Sequence, residues 1–135
     1  MKQIPIDKYT IAWFKLAEYV ARGEKERALG VYRLLCYSFD DKAFACQLEG
    51  DILWSFNDSG ASDKYFLAAQ LYKQEAKNLQ AAAVYEHLAT MHPDCVEYLE
   101  SLVELYAMLN DATKMKLYAD KLSELHTSNN PVQEG

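Results

Sequence analysis

The run Met91-His92-Pro93-Asp94-Cys95 sets a histidine close to a cysteine, and His87 lies within two helical turns upstream. An imidazole beside a thiol could ligate a transition metal or activate a nucleophile. Neither chemistry is completed here. A metal centre needs three or four converging ligands held by outer hydrogen bonds, and His92 at a helix end is equally explained by the helix dipole. A nucleophile needs a base and an oxyanion site, and neither a Gly-x-Ser-x-Gly elbow nor a phosphate-cradling glycine loop occurs. Asp40 and Asp41 are paired carboxylates, but they stand where a helix begins, and Asp58 belongs to a turn. With 5 glycines in 135 residues, strained active-site loops are hard to place. The sequence therefore predicts no catalytic residue, no metal and no cofactor.

The totals narrow the remaining classes. A chain of this length can bury roughly 68% of its unfolded surface without staples. The 14 basic residues are outnumbered by 20 acidic ones, giving a net charge of −6. Phosphate binding rests on clustered lysine and arginine, so nucleic acid and anionic membrane surfaces are disfavoured. A basic partner is favoured instead. Cys36, Cys46 and Cys95 are too few and too widely spaced for a disulfide framework; they read as small apolar residues in a reducing, cytoplasmic compartment. No stretch has the roughly 20 apolar residues that cross a bilayer.

The elements that must position any functional group are helical. Tyrosine is abundant, while glycine and proline are scarce. Apolar residues recur at helical intervals, as in Ile11, Phe14, Tyr19 and in Leu99, Leu102, Val103, Tyr106. Seven helices are predicted, near 7–22, 24–39, 41–57, 61–76, 78–91, 94–109 and 112–126. Gly23 supplies a left-handed turn, Asn57 to Gly60 cluster turn formers, and Pro93 ends the fifth helix. Asp94 is expected to cap the sixth helix with Glu97 three residues on, and Asp111 to cap the seventh. The residues from 128 to 135 read as a polar tail.

The chain repeats itself at an offset of 34 residues: Leu71 falls on Leu105, Tyr72 on Tyr106, Leu88 on Leu122 and His92 on His126. Tyr65, Ala68, Ala69 and Tyr72, followed by Ala81, Tyr85, Leu88 and Pro93, carry the spacing of a helix hairpin with small residues at the close contact. This pattern resembles the tetratricopeptide repeat. A second copy reads Leu99, Leu102, Val103, Tyr106, Met115, Ala119, Leu122. An earlier one reads Trp13, Leu16, Ala17, Val20, Ala28, Tyr32, Leu35, with its turn one residue short. The helix near 41–57 carries Cys46, Glu49, Gly50 and Leu53 like a first helix, but its expected partner, 61–76, also reads as a first helix. The repeat is therefore expected to be irregular near 41–61. The resemblance implies an all-α fold of antiparallel hairpins stacked as a short superhelix (an α-α solenoid), one domain over residues 1–127.

The resemblance also implies a use. First helices of such repeats line a concave wall that grips a polypeptide. Transferred position by position, the wall is Phe14, Glu18, Ala21 and Arg22; Phe44, Gln47, Asp51 and Trp54; Asp63, Phe66, Gln70, Lys73 and Gln74; Glu97, Glu100, Glu104, Ala107 and Met108. The cationic fork with which some members clamp a chaperone's carboxyl terminus has no counterpart here. Glu97, Glu100 and Glu104 share a helical face that would attract a basic segment. The implied protein is a non-enzymatic scaffold or adaptor holding a peptide or helix, as a monomer or weak homo-oligomer. The alternative is a self-associating assembly or chaperone subunit. In it, an apolar end built on Ile4, Ile6, Ile11, Trp13 and Phe14 meets a second copy, while Lys114, Lys116, Asp120, Lys121 and Glu124 make the last helix a polar cap.

Overall fold

The computed structural model describes residues 8–129. Among the described residues there are seven helices and no strand: α1 (Lys8–Ala21), α2 (Lys25–Cys36), α3 (Lys42–Ser55), α4 (Ala61–Gln74), α5 (Asn78–Met91), α6 (Val96–Met108) and α7 (Ala112–Asn129). The fold is all-α. Neighbours in the chain pack on one another, α1 on α2, α2 on α3, α5 on α6 and α6 on α7, as helices of a repeat array do. The chain divides into two compact units, one ending at Lys64 and the next beginning at Tyr65, just past the first turn of α4.

Each unit closes over its own stripe of large and small residues. In the first, Leu16, Ala28, Tyr32, Leu35 and Ile52 are buried together, with Tyr19, Val20, Leu29, Phe39 and Leu48 packed around them. In the second, the repeat positions Tyr65, Ala68, Ala69, Tyr72, Ala81, Tyr85, Leu88, Leu99, Leu102 and Tyr106 are all buried. The alanines let helix axes approach and the tyrosines fill the space beyond them. Each fully buried leucine contributes about 1.5–3 kcal/mol relative to an exposed one. The earliest copy is looser: Leu16, Ala28, Tyr32 and Leu35 are buried, but Trp13 and Ala17 are exposed.

The turns reveal the repeat more sharply than the side chains. Gly23, Asn57, Ala76 and Asn110 each take a left-handed φ between 57° and 72°. At each, two hydrogen bonds close the preceding helix. Gly23 N–H reaches Val20 O at 3.1 Å and Glu24 N–H reaches Tyr19 O at 2.9 Å. The same pair recurs from Asn57 and Asp58 to Trp54 and Leu53, from Ala76 and Lys77 to Lys73 and Tyr72, and from Asn110 and Asp111 to Ala107 and Tyr106. This double closure satisfies carbonyls that a helix end leaves unpaired. Gly23 and Asn57 are 34 residues apart, as are Ala76 and Asn110, but Asn57 and Ala76 are only 19 apart. So α1, α3, α4 and α6 all end as first helices, and two of them are consecutive. The phase slips at the Asn57–Gly60 turn, within the stretch where the sequence is irregular.

Several helix ends differ from the sequence reading. Asp94 does not cap α6: Cys95 N–H bonds His92 O at 3.1 Å, so Asp94 sits inside a turn and Cys95 takes the cap position without a side-chain bond. Pro93 explains the shift, because its fixed φ favours a turn through Pro93 and Asp94 before the helix starts. α2 stops at Cys36, and the Ser38 hydroxyl donates to Leu35 O at 2.6 Å. Asp41 then caps α3, accepting from Ala43 and Phe44 N–H at 3.0 and 3.2 Å. Asp111 accepts from Lys114 N–H at 3.1 Å at the head of α7. That helix continues through Thr127 and Ser128 to Asn129, past the expected start of the tail at 128, and Thr127 donates its hydroxyl to Ser123 O at 3.0 Å. Residues 130–135, like Ile4 and Ile6 of the expected apolar end, lie outside the described residues.

Candidate binding grooves

In the first unit, α1 and α3 leave a shallow groove of about 360 Å³ between them. Leu16, Ala17, Val20 and Ala21 form one wall, and Leu48, Asp51, Ile52 and Ser55 the other. Small residues in both walls keep it open. Trp13 lies 5.9 Å from Phe39 by ring centroid, and Phe39 lies 5.1 Å edge-on from Phe44. These three rings join α1 to the start of α3 through the α2–α3 turn. Tyr32 sets the spacing of α2 and α3 by donating to Ala45 O at 2.8 Å. Burial, with Glu49 nearby, pushes its phenol well above the ordinary range.

The residues expected on this wall fall in different places. Asp51 and Ala21 line the groove. Phe14, at 72% exposure, stands out in solvent on α1 with Glu18 and Arg22, which pair with each other at 2.9 Å. Phe44 and Trp54 are exposed, Phe44 while in edge contact with Phe39, and Gln47 is half-buried. Asp63 is exposed in the first turn of α4, where the helix dipole favours a carboxylate.

In the second unit the rings close over one another. Phe66 lies 6.3 Å from Tyr85 and 5.9 Å from Tyr98, while Tyr85 and Tyr98 are 6.3 Å apart. Lys73 extends its ammonium to 6.0 Å above the Tyr85 ring, and the Ser101 and Tyr85 hydroxyls are hydrogen-bonded. Burial raises the Tyr85 phenol; Ser101 opposes the rise, while Glu97 and Glu104 add to it. Phe66 thus packs edge-on against the ring whose phenol Glu104 helps to raise. Phe66 is half-buried in this triad, and Glu97, Glu100, Glu104, Gln70, Gln74 and Met108 are exposed. The sequence reading missed Tyr98 and Ser101. Their signal was available, since they fall one and four residues after Glu97 on the same helix.

A second network in this unit was not foreseen. The Tyr106 hydroxyl donates to Glu86, whose carboxylate also meets Lys114 Nζ at 3.6 Å and the Tyr118 hydroxyl. Tyr106 and Tyr118 stack at 5.9 Å, nearly parallel, with Lys114 over one ring and Lys121 over the other. It ties α5, α6 and α7 together. Beside it a cavity of about 300 Å³ is lined by Glu86, Ala89, Thr90, Pro93, Leu99, Tyr118 and Lys121.

Among the described residues no three His, Cys, Asp or Glu side chains converge as metal ligands. No helix among them is long and apolar enough to cross a membrane. Compared with known proteins, the chain matches no protein-family model and no curated sequence.

Proposed function

We propose that this chain is a tetratricopeptide-like module whose work is non-covalent: it holds a segment of a partner protein. The carrying observation is the α1–α3 groove, apolar on its α1 wall and carrying Asp51 and Ser55 beside Leu48 and Ile52 on the other, between helices that end as first helices do. A helix laid in it would bury an apolar stripe at three- and four-residue spacing, the helix-in-groove mode. On α6, Glu97, Glu100 and Glu104 favour a lysine- or arginine-bearing segment. The half-buried, unbridged thiols of Cys36, Cys46 and Cys95 favour a reducing compartment, and we assign the protein to the cytoplasm.

The test is capture from native extract with wild-type protein and with Ala17→Arg, which blocks the groove at an exposed position. A partner retained by wild type and by a control change at Glu124, but lost with Ala17→Arg, supports the reading. Charge reversal at Glu100 and Glu104 should weaken a basic partner by about tenfold or more. Retention unaffected by either set of changes defeats it.

A further inference from the structure

A different face of the first unit has the shape to meet itself. Gly30 and Leu34 of α2 and Tyr37, the residue that caps its C-terminus in a helical conformation, are spaced four and three apart and so share one side. Leu34 is 65% exposed and Tyr37 87%, the most exposed large apolar side chain among the described residues. Tyr9 and Ala12 of α1 join Leu34 and Tyr37 around a cavity of about 220 Å³. A Cβ built on Gly30 meets nothing within 4 Å, so the helix surface is open one turn from Leu34. None of these residues lines the α1–α3 groove.

We propose that this face binds a second copy of the chain across a two-fold axis passing beside Leu34. Two α2 helices laid antiparallel about that point set Leu34 against Leu34 of the other copy. They also set each Tyr37 over the other copy's Gly30, because the glycine and the tyrosine lie almost equally far from the axis. A missing side chain at one end of the stripe and a protruding ring at the other make the patch complementary to itself, which a two-fold interface requires. The same pairing brings Arg27 of one copy toward the Asp40 end of the other, opposite charges rather than like ones. The area is adequate for a weak dimer. An aromatic side chain presents on the order of 200 Å², so Tyr37 and Tyr9, 87% and 38% exposed, with the 65%-exposed Leu34 between them, offer roughly 300–400 Å² per copy. Two copies then bury about 600–800 Å² before Ala12, the Gly30 backbone and Arg27 are added, approaching the ~1,000 Å² at which specific association begins.

The experiment is sedimentation equilibrium of the full chain over a concentration series reaching hundreds of micromolar. The wild type is expected to pass from monomer to dimer. Leu34→Glu and Leu34→Lys should each weaken self-association about tenfold or more, with helicity by circular dichroism unchanged because the position is exposed. Mixing the two variants should restore a dimer, since only a two-fold through residue 34 sets the glutamate against the lysine. Gly30→Leu, which fills the opening, should weaken association as Tyr37→Ala does. A wild type that stays monomeric throughout overturns the proposal. So does a dimer that survives both Leu34 variants, or a variant mixture that stays monomeric. Partner capture through the groove should be untouched by Leu34→Glu, which separates this outcome from the fate of the groove.

Discussion

The first unit leaves its large apolar side chains in solvent, while the second folds its own inward. Among the described residues, Tyr9, Ile11, Trp13, Phe14, Leu34, Tyr37, Phe44 and Trp54 are exposed in the first, against Leu67, Leu79, Met108 and Leu117 in the second. Yet both run on the same backbone: the same left-handed turns, the same paired closing bonds and the same 34-residue step. In the second unit Phe66, Tyr85 and Tyr98 cover one another, and Tyr106 and Tyr118 converge on Glu86. In the first, rings line an edge and a groove lies open beside them. Backbone repetition fixes where helices turn. Which faces remain available to other molecules is decided by side chains at positions the repeat does not constrain.

The contrast is tested most severely in the cores. Leu35→Ala in the first unit and Leu102→Ala in the second each remove a fully buried side chain. Each should destabilise by roughly 2–5 kcal/mol, measured by urea unfolding. Hydrogen exchange should place most of the lost protection for Leu35→Ala in α1 to α3, and for Leu102→Ala in α5 to α7. Equal loss throughout in both variants would break the division into units.

The tyrosine tethers come next. Tyr106→Phe leaves the Glu86 carboxylate without one of its donors, and a hydrogen bond to a charged group is worth about 1.5–3 kcal/mol. Tyr32→Phe removes a neutral bond to Ala45 O, worth about 1 kcal/mol. Unfolding midpoints should fall in that order; the reverse order would mean that the Glu86 network is not what distinguishes the second unit.

The third comparison exchanges turn residues. Gly23 and Ala76 hold the same left-handed position, and an L side chain there is strained. Gly23→Ala should lower stability by about 1 kcal/mol, and Ala76→Gly should raise it by up to about 1 kcal/mol, less the added freedom of the unfolded chain. If both changes destabilise, the two turns are not equivalent and the shared step is coincidental.

Much of the scaffold was legible in the sequence, because helix period, turn formers and the offset of 34 are local signals. Ala68, Ala69, Tyr72, Ala81 and Tyr85, read from the sequence as the small and large positions of a hairpin, are all buried. Ends shifted where two local preferences competed: Pro93 favoured a turn that moved the cap from Asp94 to Cys95. The candidate surface was legible only in outline. Asp51 and Ala21 reach the groove, whereas Phe14, Glu18 and Arg22 point elsewhere. Leu48 and Ile52, which the sequence reading did not single out, belong to the core cluster and also line the groove, a double role set by how α1 stands against α3. The Glu86 network joins residues from three helices, and pairings of that kind leave no mark on local spacing.

The smallest expected effect concerns the turn where the phase slips. Lys25 donates to Asp58, and Asp58 in turn accepts from Gly60 N–H at 2.8 Å. The lysine first, and then the Gly60 N–H, hold the Asp58 carboxyl below its usual range, while the same contact raises Lys25. A depressed carboxyl contributes stability in full above its unfolded value, and that contribution is lost as pH falls through the folded value. A raised lysine contributes below its unfolded value and loses the contribution as pH rises through the folded one. The tie should therefore hold across neutral pH and fade below about pH 4 and above about pH 10. Both groups face solvent, so salt screens the pair and the effect is slight. Asp58→Asn should lower the urea midpoint slightly at neutral pH and leave it unchanged well below about pH 4, which flattens the acid limb. A variant whose acid limb matches wild type would show that α2 is held to the Asn57–Gly60 turn by packing alone.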